Sequence, residues 1–176
     1  MVAAAITSGD ITIENTCFDH VSFLAEKLEL MGVTIDHSGD LIFVRSNGTL
    51  KAIDLETAPY PGFPTDMQSQ MMTLLAVCEG TSKIKESIFE NRYMHVPELV
   101  RMGADIKLDK QYAFIKGVSK LSGADVRSTD LRASASMVLA GLVAEGRSKV
   151  HGLKHLRRGY HNLAEKLIGL GAEIYQ

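Results

Sequence analysis

The sequence predicts an α/β fold turned inside out, built from repeated strand–helix–strand–helix–strand–strand modules whose helices are buried and whose sheets lie outside. Three observations lead there. First, the chain repeats itself: Leu30-Met-Gly-Val-Thr-Ile, Val100-Arg-Met-Gly-Ala-Asp-Ile and Leu170-Gly-Ala-Glu-Ile each read as a helix end, a glycine and a strand start. Thr65-Asp66-Met and Thr129-Asp130-Leu131 each open a helix, so the unit is a whole module and not a short solenoid repeat. Second, Lys83–Ile88 and Asp105–Asp109 alternate strictly, as strands do in a sheet with one wet face. Third, Leu131–Ala144 is apolar or small almost all round, as a fully buried helix must be. Small side chains at Ala133, Ser134, Ala135 and Ser136 permit close helix packing.

Taken in order, Val2–Ile6 reads as the last turn of a helix, and Ile11–Ile13 as a strand. Phe18, Val21, Leu24, Leu28 and Met31 share one face of a helix from about Phe18 to Met31, which Gly32 ends as the residue past the C-cap. Strands are expected near Val33–Asp36, Leu41–Arg45 and Lys51–Leu55. Three of the four prolines fall between Pro59 and Pro64, so Ala58–Phe63 is a stiff loop. Thr65 with Gln68 three residues on has the pattern of a capping box, which opens a helix over Asp66–Glu79 and places Asp66 in its first turn. A strand near Lys83–Phe89 follows, then a helix with Pro97 at its first position, ending at Gly103. Module boundaries fall near 1–50, 51–116 and 117–176.

Composition sets outer limits on function. A formal charge of −2 gives no electrostatic case for nucleic acid or an anionic membrane, and no apolar run approaches a membrane span. Met1–Ile6 is too short and too uncharged for a secretory signal, so a cytoplasmic location is expected. Cys17 and Cys78 have no metal-type spacing, and Cys78 falls among Met71, Leu74 and Leu75 as a buried thiol. His151 and His155 do not share a helix face, which argues against a metal site. Met67, Met71 and Met72 read as core filler.

On physics alone, Asp66 is explained by the positive end of a helix dipole, and Arg92 and Arg158 by a surface position. Asp130 and Arg132, as first and third residues of a helix, have an adequate capping explanation. Consecutive motifs alter that balance. Thr57-Ala-Pro-Tyr-Pro-Gly-Phe-Pro-Thr-Asp-Met-Gln, Phe89-Glu-Asn-Arg-Tyr-Met-His-Val, Leu121-Ser-Gly-Ala, Thr129-Asp-Leu-Arg-Ala-Ser-Ala-Ser and Arg158-Gly-Tyr160 closely resemble the UDP-N-acetylglucosamine enolpyruvyl transferases, across essentially the whole chain. The resemblance is to the C-terminal portion of such an enzyme. It implies an inside-out α/β barrel, one domain that lacks its N-terminal strand and its partner domain, with the active site in the cleft between the two.

What the resemblance implies chemically is transfer of the enolpyruvyl group of phosphoenolpyruvate to the sugar 3-hydroxyl, with loss of phosphate, as the first committed step of peptidoglycan synthesis. No cofactor and no metal are implied. Asp66 falls on the family's proposed base, Ile88 on a backbone contact to the nucleotide sugar, and Arg92 and Arg158 on ligands of phosphoenolpyruvate. Asp130 and Arg132 match a cleft motif. Arg157 departs from the family's usual Asp, which removes a carboxylate partner for Arg158. The family's lysine and lid cysteine have no counterpart here, and neither Cys17 nor Cys78 sits in a matching motif. The chain alone is therefore expected to be inactive, and an unpaired sheet edge is expected to drive a homodimer. Two alternatives stand beside this reading: the sister shikimate-pathway synthase, against which Phe-Glu-Asn-Arg and Thr-Asp-Leu-Arg-Ala argue, and a non-catalytic module that binds a nucleotide sugar or a partner domain.

Overall fold

A computed structural model describes residues 1–175. Three sheets follow one another along the chain. The first holds β1 (Asp10–Ile13), β2 (Thr34–Ser38) and β3 (Leu41–Arg45) in the order β1-β3-β2, all antiparallel. In the second, β4 (Leu55–Glu56) runs parallel to β5 (Thr81–Lys85), and the hairpin of β6 (Asp105–Asp109) and β7 (Tyr112–Lys116) completes the order β4-β5-β7-β6. The third pairs β8 (Asp125–Arg127) with β9 (Lys149–His151) in parallel.

Three helices, α1 (Val2–Ile6), α3 (Gln68–Leu75) and α5 (Leu131–Val143), pack on one another inside the sheets. Every residue of α3 is buried, and α5 buries Ala133–Met137, Leu139 and Ala140. Helices α2 (Ser22–Met31), α4 (Val96–Arg101) and α6 (Leu163–Gly169) lie further out and expose Leu30, Val100 and Ile168. The sheets turn Ile42, Val44, Ile84, Ala113 and Ile115 inward and Phe43 and Phe114 to solvent. Buried helices inside outer sheets are the architecture the repeats and the apolar α5 predict. Small hydroxyl residues make the α3–α5 seam close: the Ser136 hydroxyl lies within hydrogen-bonding reach of the Thr73 hydroxyl and the Ser69 carbonyl. Gly32, Gly103 and Gly171, the three glycines of the repeated helix ends, all take positive φ (105°, 96° and 97°), where a side chain would be strained. Among the described residues, no helix is long and apolar enough to cross a membrane.

Several elements differ from expectation, each for a local reason. The helix over Phe18–Met31 splits into a 3-10 turn (Phe18–His20) and α2, with Val21 at φ −128° between them. The Lys51–Leu55 strand reduces to a bridge from Lys51 to Glu79 and the short β4, because Asp54 Oδ1 accepts the Lys83 N–H in place of a backbone carbonyl. The helix expected over Asp66–Glu79 begins as a 3-10 turn (Thr65–Met67) and ends at Leu75, since the backbone of Glu79 bonds to Leu50 and Ala52. Strand β5 stops at Lys85, because beyond it the Ser87 N–H turns to the Thr57 hydroxyl oxygen and those of Ile88 and Phe89 to the side chain of Glu86. Helix α4 starts at Val96, one residue before Pro97. Strand β6, which has a partner on one side only, leaves Leu108 exposed and so lacks the strict alternation of its sequence.

Candidate active site

The proline loop closes on itself. Ala58 N–H donates to the Phe63 carbonyl at 2.8 Å, Gly62 N–H to the Pro59 carbonyl at 2.7 Å, and Thr57 bridges Phe63. A Cβ on Gly62 would meet Ala58 Cβ at 2.5 Å, so this closure requires glycine. Buried Phe63 packs edge-on against Phe23 of α2, which anchors the loop to the first module. The chain then enters the 3-10 turn at Thr65 with no side-chain cap on that turn or on α3. The expected capping box is absent. The Thr65 hydroxyl instead donates to Glu86 Oε2 at 2.7 Å, and Gln68 is buried with no partner for its Nε2 among the described residues.

Asp66 therefore stands at the start of α3 without binding the helix N–H groups. Its side chain is 72% exposed, and Oδ1 accepts from Arg132 Nη1 at 3.0 Å and from Arg92 Nη1 at 3.4 Å. Arg92 is held from behind by stacking, with Cζ 4.2 Å above the Phe89 ring, a cation–π contact that fixes the plane of the guanidinium. Arg132 Nε also lies 3.6 Å from Asp130 Oδ1. Asp130 is the N-cap of α5 and not its first helical residue as expected; its Oδ1 accepts the N–H groups of Arg132 and Ala133 at 2.8 and 3.1 Å. The structure thus brings four of the sequence-selected residues, Asp66, Arg92, Asp130 and Arg132, into one chain of contacts.

Ile88 and Arg158 are placed differently. Ile88 is half-buried after β5, and its N–H donates to Glu86 Oε1 at 3.0 Å; among the described residues its carbonyl has no partner. Arg158 ends a 3-10 turn (Leu156–Arg158) and is exposed, with no ion pair among the described residues. Its segment is nonetheless fastened to the same end of the molecule, since Gln70 Nε2 at the start of α3 donates to the Tyr160 hydroxyl at 3.2 Å and Gly159 lies against Leu131. Arg157 beside it is exposed as well.

Two further groups escaped sequence reading. Glu86 is buried and accepts four hydrogen bonds; the signal was parity, since Ile84, Glu86 and Ile88 alternate on one side of the strand and a charge among them requires partners. His95 is buried before α4 with Nε2 3.2 Å from the Met72 sulfur. Burial lowers its pKa to about 4, helped by Arg132 and opposed by Asp130 and a backbone bond at Arg92. This neutral ring is packed behind the charged cluster.

An exposed carboxylate flanked by two guanidinium groups, with a third arginine carried by an adjoining turn, can accept a proton from a hydroxyl and hold an anion with carboxylate or phosphate character. Comparison with known proteins agrees with that class. A solved enolpyruvyl transferase, NikO from Streptomyces tendae, superposes with a TM-score of 0.89 at 29% identity, over 99% of this chain and 42% of that one. The EPSP synthase from Acinetobacter baumannii shares the fold at 18% identity, with a TM-score of 0.65 over 85% of this chain and 37% of that one. Both the topology and the buried helices are thus those of the enolpyruvyl transferases. The chain belongs to the EPSP synthase (3-phosphoshikimate 1-carboxyvinyltransferase) family, whose model matches residues 1–167. Within it, the chain is 52% identical over 176 residues to UDP-N-acetylglucosamine 1-carboxyvinyltransferase 1 of Caldanaerobacter subterraneus, and 53% identical over 174 residues to the UDP-N-acetylglucosamine 1-carboxyvinyltransferase of Halothermothrix orenii. It spans about 42% of the length of these curated relatives. The chain thus matches part of a longer enzyme.

Proposed function

We propose that this chain forms part of a transferase that moves the enolpyruvyl group of phosphoenolpyruvate to the 3-hydroxyl of UDP-N-acetylglucosamine, the step that commits the sugar to peptidoglycan and so bears on cell shape and division. The observation that carries this reading is Asp66, an uncapped and exposed carboxylate held by Arg92 and Arg132. In the proposed reaction Asp66 takes the proton of the sugar 3-hydroxyl as its oxygen bonds to the central carbon of phosphoenolpyruvate. A group outside this chain protonates the methylene carbon. Loss of that added proton with expulsion of phosphate restores the double bond.

Arg92 and Arg158 bind phosphoenolpyruvate, for which a planar guanidinium supplies paired donors to carboxylate or phosphate. Arg132 holds Asp66 against Arg92, Asp130 holds the start of α5, and the free carbonyl of Ile88 meets the nucleotide sugar. The three successive sheets support one domain of three modules, near residues 1–50, 51–116 and 117–176. A cytoplasmic location fits the two free thiols, Cys17 and Cys78. The chain alone turns over nothing, because the acid and a phosphate-binding cation lie elsewhere in the enzyme.

Phosphate release by the full-length enzyme tests the reading. Release with phosphoenolpyruvate and UDP-N-acetylglucosamine, and none with shikimate 3-phosphate, is the expected result. The reverse preference would assign the chain to the shikimate branch, and no release with either acceptor would leave a binding module.

A further inference from the structure

Of the residues assigned above to substrate, Glu86 touches only Ile88, through its N–H, yet the segments that deliver Asp66 and Arg92 are both tied to it. Its Oε1 accepts from the Thr57 hydroxyl at 2.8 Å and from the N–H groups of Ile88 and Phe89 at 3.0 and 3.2 Å, and its Oε2 accepts from the Thr65 hydroxyl at 2.7 Å. Thr57 is engaged twice, since its hydroxyl oxygen also accepts the Ser87 N–H at 2.8 Å. Glu86 N–H and the Tyr93 hydroxyl both donate to the Gln111 carbonyl, which fixes this turn to the β6–β7 hairpin. Thr65 directly precedes Asp66, and Phe89 is the ring beneath the Arg92 guanidinium. One buried carboxylate therefore sets where the proline loop releases Asp66 and where the following turn presents Arg92.

We infer that Glu86 is a positioning residue that fixes the separation of Asp66 and Arg92. This rests on the reading of Asp66 as the base. Buried carboxylates that satisfy several donors at once rigidify their surroundings, and a displacement of about 1 Å of a reacting group lowers a rate by as much as about 10²-fold.

Replacing Glu86 itself leaves four donors unpartnered and risks the fold, so the test uses its partner. Thr65→Val keeps the branched shape and removes only the bond to Oε2; Thr65→Ser keeps the hydroxyl. Two quantities are read: the carboxyl-carbon NMR resonance of Asp66 in this chain, and kcat and KM in the full-length enzyme. Thr65→Val should displace the Asp66 resonance and lower kcat about tenfold with KM for the nucleotide sugar within about twofold, and Thr65→Ser should restore both. An unchanged resonance and an unchanged kcat in Thr65→Val, with or without a lower Tm, would overturn the inference. A displaced resonance with parental kcat would uphold the positioning by Glu86 and remove the catalytic reading of Asp66.

Discussion

Two central helices of this molecule open with the same dipeptide, Thr-Asp, and use it in opposite ways. At α5, Asp130 turns inward and caps the helix through the Arg132 and Ala133 N–H groups, while its extended backbone makes the entry. At α3, Thr65 gives its hydroxyl to Glu86, the helix starts through an uncapped 3-10 turn, and Asp66 faces solvent between two arginines. A repeated unit thus supplies two equivalent carboxylates, one committed to holding a helix and the other left free. The capping explanation that the sequence offers for Asp130 holds in the structure, whereas Asp66, read on sequence as a complement to the helix dipole, caps nothing and pairs with Arg92 and Arg132.

Conversion of Asp66 to Asn should have the largest effect on turnover. The amide keeps the size and one acceptor oxygen but takes no proton, so kcat of the full-length enzyme should fall about 10²–10⁴-fold. Arg92→Lys, which loses the planar fork stacked on Phe89, should raise KM for phosphoenolpyruvate about tenfold or more, as initial rates at varied phosphoenolpyruvate would record.

The α5 side of the comparison responds to pH. His95, beside Asp130 and Arg132, has its pKa lowered from 6.5 to about 4 in the fold. Between those values the unfolded chain binds the extra proton, so stability is fully present above pH 6.5 and is lost as pH falls towards 4. The loss amounts to about 3 kcal/mol at most. Denaturant melts from pH 7 to 4 should show it, and His95→Gln should flatten the profile.

Asp130→Ala should then remove about 0.5–2 kcal/mol of stability by uncapping α5, whereas Asp130→Asn, an equally good cap, should remove almost none. Calorimetry of the two variants would separate loss of the cap from loss of charge. The smallest effect concerns thiols: exposed Cys17 should react with an aromatic disulfide at pH 8, and Cys78, whose pKa burial pushes up to about 12, should react only on unfolding.

Local pattern made much of this legible. The buried helix α5 lies within one residue of its expected span, because its apolar surface is continuous in the sequence. Gly32 and Gly103 end their helices as read, because a positive φ leaves a compositional mark. The capping box at Thr65 failed because its competitor, Glu86, arrives from 21 residues away. The same holds for the pairing of Asp66 with Arg132, which are 66 residues apart. Motifs selected both residues, but only the fold decides that they touch. Asp130, by contrast, meets N–H groups two and three residues on, and its role was within reach of the sequence.

The division of labour between the two aspartates is tested most directly by kcat and Tm measured on one preparation of full-length Asp66→Asn. A fall in kcat of about 10²-fold or more with Tm within about 1 °C of the parent is the expected result, because Asp66 binds no helix N–H group. Near-parental kcat with a Tm lowered by several degrees would return Asp66 to the role of a charge at the helix dipole and contradict the account.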